Sequence, residues 1–301
     1  MDLYQAYLST EQKRVLSTRA IPFDAKQNIS PDQREYDLFK EIYSQRAENP
    51  TPWGLVSWKF EHKSLVTINA FLEFAAEKFE EGHDCVFINP MIGNEALYLN
   101  VWEQGADAGH KGLKEIAQFL SGKISEKIFL PMNSSKFAFC NYFLGTPSFW
   151  GAYFAFIDQA IDFLESQVSL NSQIGHVYNN SASYSKDITA HMKPFVIERL
   201  FSSFLSASNM KVASLPLSRN IYLKKFGVQL GEFLFELSRL KNLALTTYNL
   251  ELLEKYQSIR LNILNSQHKI SIWQLDDPCD FFLTTDYMEL MSGPNSFTTT
   301  L

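Results

Sequence analysis

Met132–Glu165, MNSSKFAFCNYFLGTPSFWGAYFAFIDQAIDFLE, is the stretch on which the reading of this chain turns. The run Phe137–Leu144 predicts a buried strand. Gly145-Thr146-Pro147 predicts a turn, and the residues from Ser148 a long helix. Asn133, Ser134 and Asn141 are polar side chains that a plain core strand would not want, yet they sit in or beside the apolar run. In α/β proteins, a strand that ends in polar side chains and feeds a helix commonly builds one wall of a ligand crevice.

The same stretch raises the question of a membrane span, because Phe137–Ile157 carries no charged residue and is long enough to cross a bilayer. Asn141, the Gly-Thr-Pro turn and Gly151 interrupt it, and a strand, turn and helix account better for the pattern.

Upstream, strand-like and helix-like segments alternate. Leu3–Leu8 reads as a short strand, followed by a helix start capped by Ser9 or Thr10. Ala20–Phe23 reads as a second strand and Asp24–Pro31 as a polar loop. Asp32–Arg46 reads as a helix with Tyr36, Phe39, Ile42 and Tyr43 on one face. Trp53–Phe60 is the next strand, Thr67–Phe79 a helix, and Asp84–Asn89 a short apolar strand stopped by Pro90. Ala96–Gln104 and Gly112–Leu120 read as helices, Tyr178–Asp187 as a loop and Lys193–Ala207 as an amphipathic helix.

This alternation predicts an α/β fold with a single, mostly parallel, Rossmann-like sheet flanked by helices. From Pro216 the texture changes: Arg219–Leu264 is helical in pattern, and Met291–Leu301 is a loose Gly/Pro/Ser/Thr-rich tail. The expected division is 1–215 as the binding and catalytic domain and 216–301 as a mainly helical C-terminal segment.

The totals bound the function. A chain of 301 residues, 46% hydrophobic, buries a sizeable core, and 25 Phe suit sheet cores and ring-shaped ligands. With 27 basic against 33 acidic residues the formal charge is −6, which argues against a nucleic-acid partner. Cys85, Cys140 and Cys279 are few and far apart and form no CxxC pattern, so a zinc site is not expected. Cys85 and Cys140 lie in apolar runs and read as buried thiols. An odd cysteine count, and an N-terminus without the features of a signal peptide, predict a cytoplasmic location.

Each site candidate has two readings. Asn89 ends a strand before Pro90, where it either touches a ligand or caps a turn. In NVWEQGADAGH, either Glu103 or His110 does acid–base work or binds a diphosphate, or the stretch is an exposed polar helix end with a Gly-rich turn. Lys59, at the expected end of WGLVSWKF, either neutralises a phosphate or is a solvated edge lysine. Glu198 and Arg199 stand side by side in the apolar helix FVIERLFSSFL and face about 100° apart, so at least one points at something specific. Asp276-Asp277 reads as a turn. No P-loop, GxGxxG, HExxH or GxSxG motif occurs.

The series Tyr4-Gln5, Ile21-Pro22-Phe23-Asp24, Glu35-Tyr36, Gly54-Leu55-Val56-Ser57-Trp58-Lys59-Phe60, Phe87-Ile88-Asn89-Pro90, Leu99-Asn100-Val101-Trp102-Glu103-Gln104-Gly105, His110, Phe139-Cys140-Asn141-Tyr142-Phe143 and Phe149-Trp150 resembles bacterial glycosyltransferase-like domains linked to surface and capsular polysaccharides. Glu198-Arg199-Leu200 matches the Glu-Arg-Leu of a later helix in that group. The resemblance spans roughly residues 3–207 and lies in the order of the series.

It implies a GT-A-like fold that binds a nucleotide-sugar donor on one side and a glycan or lipid-linked acceptor on the other. It further implies Glu198 or Glu103 as the base, with Lys59, His110 and Arg199 near the phosphates. Asn89, Asn141 and Tyr142 would shape the sugar pocket, and Asp24 would contact the nucleotide. Many such enzymes hold Mg²⁺ or Mn²⁺ with Asp-x-Asp, but the corresponding strand end here reads Asn89-Pro90. Either the enzyme is metal-independent, or the chain is a non-catalytic carbohydrate- or partner-binding module on a transferase-like fold. No transmembrane span is expected. Lys224-Lys225 and Arg239-Leu240-Lys241 leave room for peripheral contact at the inner face of a membrane.

Overall fold

The computed structural model describes residues 1–27, 33–46, 49–185 and 188–265, together with Ile272 and Asp276; of residues 183–185 and 188–190 it describes the backbone. Residues 28–31 of the expected loop, Asp277, Cys279 and the tail lie outside the described residues.

The chain opens with β1 (Asp2–Tyr7), which alternates intermediate and buried positions. In α1 (Thr10–Arg14) the cap is Ser9, whose hydroxyl accepts the Gln12 N–H. Next come β2 (Ile21–Asp24), α2 (Glu35–Gln45) and β3 (Trp53–Ser57). Tyr36, Phe39 and Ile42 of α2 are buried, as is Leu38, whereas Tyr43 is exposed. The strand expected over Trp53–Phe60 stops at Ser57, and Phe60 opens α3 (Phe60–Ser64).

Then follow α4 (Ile68–Glu80, capped by Thr67), β4 (Cys85–Phe87), α5 (Ile92–Leu97), α6 (Val101–Asp107) and α7 (Leu113–Lys123). The single helix expected over Ala96–Gln104 is thus two helices, and the side chain of Asn100 caps the second by accepting the N–H groups of Trp102 and Glu103.

β5 (Phe143–Gly145) and α8 (Pro147–Ser169) form the pivotal stretch. Thr146 caps the helix and Pro147 occupies its first turn, where a missing N–H costs nothing. The strand expected from Phe137 is therefore only its last part. The physical reason is that helix side chains take the backbone groups a sheet neighbour would need. Ser202 Oγ accepts the Ala138 N–H at 2.9 Å and donates to the Ala138 carbonyl at 3.1 Å. Glu198 accepts the Cys140 N–H at 3.2 Å. Cys140 and Asn141 both take left-handed backbone, with φ of 66° and 52°.

α9 (Gln173–Asn179) precedes the hairpin β6 (Ser181–Ser185) and β7 (Ile188–His191), so residues 178–185 of the expected loop are helix end and strand; residues 186 and 187 lie outside the described residues. α10 (Met192–Ala207), β8 (Val212–Ser214), α11 (Arg219–Phe226), α12 (Val228–Thr247) and α13 (Leu250–Leu264) complete the chain. Gly227 (φ 78°) and Tyr248 (φ 53°) break the C-terminal helical run into its three helices.

The six-stranded sheet has the order β2-β1-β3-β5-β4-β8. It is mixed: β5 runs antiparallel to both β3 and β4, and the other pairs are parallel. β5 lies so close to β3 that a Cβ on Gly54 would come within 2.0 Å of the Phe143 carbonyl oxygen. Aromatic rings fill the space between this central part of the sheet and α8 and α10. Trp53 stacks on Trp150 at 4.0 Å and Phe143 on Phe201 at 4.1 Å. The indole N–H of Trp150 donates to the Trp53 carbonyl at 3.1 Å, so a buried polar group is satisfied inside the cluster.

The C-terminal helices are fixed to α5 and α6 by buried polar anchors. Lys241 donates to the carbonyls of Glu95 (2.8 Å) and Tyr98 (2.6 Å), and the Tyr256 hydroxyl donates to the Ala96 carbonyl at 3.0 Å. No helix among the described residues is long and apolar enough to cross a membrane.

Candidate functional site

β1 pairs with β2 on one side and β3 on the other, both parallel, so the strand order reverses between β1 and β3. Open α/β sheets bind ligands at such a switch point, outside the carboxyl ends of the strands. A cavity of about 680 Å³ lies there. Its walls include Ala6 and Leu8 at the end of β1, Ala25 and Lys26 after β2, and Ser57 and Trp58 at the end of β3. Because β5 runs the other way, its entry segment Phe139–Tyr142 reaches the same rim, and α10 closes the far side with Phe195, Glu198 and Arg199.

Five of the expected residues meet in this cavity: His110, Asn141, Tyr142, Glu198 and Arg199. Arg199 is buried, and its guanidinium donates to the Val101 carbonyl (3.0 Å), the Phe195 carbonyl (2.7 Å) and Gln104 Oε1 (3.1 Å). Burial pulls its pKa down to about 10, which leaves it charged at neutral pH, and the Glu198 charge opposes that shift. Glu198 Oε2 lies 3.7 Å from Arg199 Nη1, while Oε1 holds the Cys140 N–H. Both members of the adjacent pair thus have specific partners.

His110 stacks on Phe195 at 4.0 Å. Burial first, and the Arg199 charge second, push its pKa down to about 4, so the ring is neutral at pH 7. His110 is 8% exposed and Asn141 6%, yet His110 Nδ1 and Asn141 Oδ1 have no hydrogen-bond partner among the described residues. A buried polar atom left unpaired costs about 1–3 kcal/mol, so two of them in one cavity mark a place where a ligand or water completes the bonding. The Tyr142 hydroxyl shares a 2.6 Å hydrogen bond with Ser57 Oγ. The left-handed Cys140-Asn141 corner costs roughly 1–2 kcal/mol per residue, and such strain clusters at functional sites.

The other four expected residues sit elsewhere. Glu103, far from being in an exposed helix end, accepts both terminal nitrogens of Arg260 at 3.0–3.1 Å and the Leu99 N–H at 2.7 Å. That binds α13 to the start of α6. Asn89 makes the turn before Pro90: its Oδ1 accepts the Met91 N–H at 3.1 Å and its Nδ2 donates to Glu95 at 2.9 Å. It lines a separate cleft of about 220 Å³ between the sheet and α11–α12. Lys59 lies in the turn after β3, with its N–H on Ser57 Oγ at 3.3 Å. Asp24 accepts the Lys26 N–H at 3.0 Å and the Tyr7 hydroxyl at 3.3 Å, next to Ala25 and Lys26 of the cavity wall.

Glu35, Arg34, Lys63 and Cys140 line the cavity without having been singled out as ligand-binding residues. Glu35 is an exposed residue at the edge of the cavity, where the protein packed beside its carboxyl takes away part of its water. This desolvation raises its pKa, and the charge of Glu198 adds to the rise while Arg34 and Lys63 oppose it. Lys63 Nζ lies 3.8 Å from Cys140 Sγ. Lys63 was hidden by reading WGLVSWKF as one strand, which left FEHKS without a place. A signal was present in Glu35, an acid one residue before the buried helix face begins.

Among the described residues no three His, Cys, Asp or Glu side chains gather where a metal ion would need them. No site built from three such side chains is thus found among the described residues, and no step below passes through a metal ion. Comparison with protein-family models, curated proteins and solved structures finds no match to this chain, so the chemistry of the cavity rests on its own residues.

Proposed function

We propose that the chain is a glycosyltransferase of GT-A-like architecture that takes a sugar from a nucleotide-sugar donor to a glycan or lipid-linked acceptor. The observation that carries this reading is the pairing, in one cavity at the sheet's switch point, of the carboxyl groups of Glu35 and Glu198 with the cations Lys26, Arg34, Lys63 and Arg199. Displacement at an anomeric carbon requires both kinds of group: a base for the incoming hydroxyl, and positive charge for the departing diphosphate.

In this reading the acceptor oxygen bonds to the anomeric carbon as the carbon–oxygen bond to the diphosphate breaks. The acceptor proton passes to Glu198, whose carboxylate is oriented by the Cys140 N–H and Arg199. Lys63 and Arg34, with Lys26 at the rim, take up the charge growing on the diphosphate. Neutral His110, through Nδ1, and Asn141, through Oδ1, bond sugar hydroxyls and so complete their own hydrogen bonding. The resemblance to polysaccharide-linked transferases supports the donor class, and it also supports a cytoplasmic enzyme working at the inner face of a membrane.

The test is calorimetric titration and thermal shift with UDP-, GDP- and dTDP-sugars, with and without Mn²⁺. At least one donor raises the melting temperature and binds at one site per chain. If none binds under either condition, the reading is wrong. A transferase also loses turnover in Glu198→Gln while keeping donor binding; a non-catalytic module binds equally well and turns nothing over from the start.

A further inference from the structure

Cys140 reads from sequence as a buried thiol, but it is only partly buried and forms part of the cavity wall. Two charged side chains reach this residue, one at its backbone and one at its sulfur. Glu198 fixes the Cys140 N–H at 3.2 Å, and Lys63 Nζ stands 3.8 Å from Sγ. An ammonium at that distance favours the thiolate, the form of cysteine that reacts. The other charged and titratable groups on the cavity wall are Arg34 and Glu35 of the α2 entry, Lys26 after β2, Glu198 and Arg199 of α10, and His110. Of these, Glu198 accepts the Cys140 backbone N–H.

A second observation points to polar guests in the cavity: His110 Nδ1 and Asn141 Oδ1, both on side chains more than nine-tenths buried, have no hydrogen-bond partner among the described residues. Cys85 supplies the internal contrast. It is fully buried in β4, and desolvation, with the Asp84 charge, pushes its thiol up.

We propose that Cys140 is a modification site built into the cavity wall, whose thiolate takes peroxides and small soft electrophiles. With a peroxide, sulfur forms a bond to one oxygen as the O–O bond breaks. Sulfur is oxidised by two electrons to the sulfenic acid, and the hydroxide that leaves takes a proton from solvent to give water. With a maleimide, the S–C bond forms and the neighbouring carbon takes a proton from water. The site stands whether or not the cavity proves to bind a nucleotide sugar.

The experiment is a time course of the full chain with N-ethylmaleimide, and separately with hydrogen peroxide and a sulfenate trap, followed by peptide mass spectrometry that resolves Cys85, Cys140 and Cys279. In the native protein at pH 7 the Cys140 peptide is labelled at least about tenfold faster than the Cys85 peptide, and the two rates converge in denaturant. The pH–rate midpoint of Cys140 falls below the ordinary thiol value of about 8.5. Lys63→Met, checked for fold by circular dichroism, slows labelling at pH 7 severalfold and moves the midpoint up; should it fail to fold, the wild-type midpoint decides. Labelling of Cys140 no faster than that of Cys85, or a midpoint at or above about 8.5, overturns the proposal.

Discussion

Glu198 accepts the backbone N–H of Cys140 at 3.2 Å, and so ties α10 to the left-handed corner that enters β5. One carboxylate therefore both holds the cavity wall in shape and faces its interior. The two roles separate by substitution. Glu198→Gln keeps an oxygen for the N–H and removes the charge. It retains the fold and donor binding, and it lowers turnover by about 10²–10⁴-fold, the usual contribution of a general base. Glu198→Ala also orphans the Cys140 N–H, and urea unfolding registers a further loss of about 1–3 kcal/mol.

The ion pair of Glu103 and Arg260 is predicted to serve stability alone. Both terminal nitrogens of Arg260 engage Glu103, and neither residue lines the cavity. A double-mutant cycle of Glu103→Gln and Arg260→Met yields a coupling energy of roughly 0.5–3 kcal/mol. Donor affinity, measured by calorimetry, stays at the wild-type value in each variant that folds.

His110 imposes a pH dependence on stability. Its folded pKa is lowered to about 4 from the ordinary 6.5, so in that interval the unfolded chain binds a proton that the native protein refuses. Stability consequently rises with pH from about 4 to about 6.5, and it is lost as pH falls through the same window. Chemical denaturation across that range loses up to about 3 kcal/mol from this group, and His110→Gln flattens the profile there. Glu35 acts in the opposite sense. Its folded pKa is raised, so stability falls as pH rises from the ordinary carboxylate value through the folded one, and Glu35→Gln removes that fall.

Gly54→Ala tests the packing of the inserted strand. The new methyl would meet the Phe143 carbonyl oxygen at 2.0 Å, and backbone cannot yield as a side chain tip does. Thermal unfolding is expected to register a loss of about 3 kcal/mol or more, beyond the usual cost of overpacking. A melting temperature equal to wild type would mean that β5 is not seated against β3 in this way.

The parts of the fold set by local pattern were legible. α8 opens at Pro147, one residue before the expected Ser148, and β1, α4 and α10 lie within a residue or two of their expected bounds. What was not legible depends on distant partners. Phe137–Tyr142 has the composition of a strand, but Ser202 and Glu198, some sixty residues away, claim its backbone groups. The antiparallel course of β5 has the same origin, because a segment pinned at the carboxyl rim can enter the sheet only from that side.

Of the expected site residues, the chain neighbours Glu198-Arg199 and Asn141-Tyr142 come together at the cavity. Glu103 and Asn89 lie outside it, on the partners Arg260 and Glu95, which could not be chosen without the fold. Lys63 and Glu35 reach the cavity because a strand ended three residues early and a helix began three residues late. A slip of that size is invisible to periodicity but moves a side chain to another face.

The central claim is that the cavity between β1, β3 and α10 receives a nucleotide-activated sugar. The most direct measurement is a crystal structure of the full chain soaked with a nucleoside diphosphate. The account predicts density for the diphosphate within hydrogen-bond reach of Lys63 and Arg34, with His110 Nδ1 and Asn141 Oδ1 facing the space left for the sugar. A diphosphate bound elsewhere on the molecule, or a cavity filled only by water at saturating ligand, would contradict it.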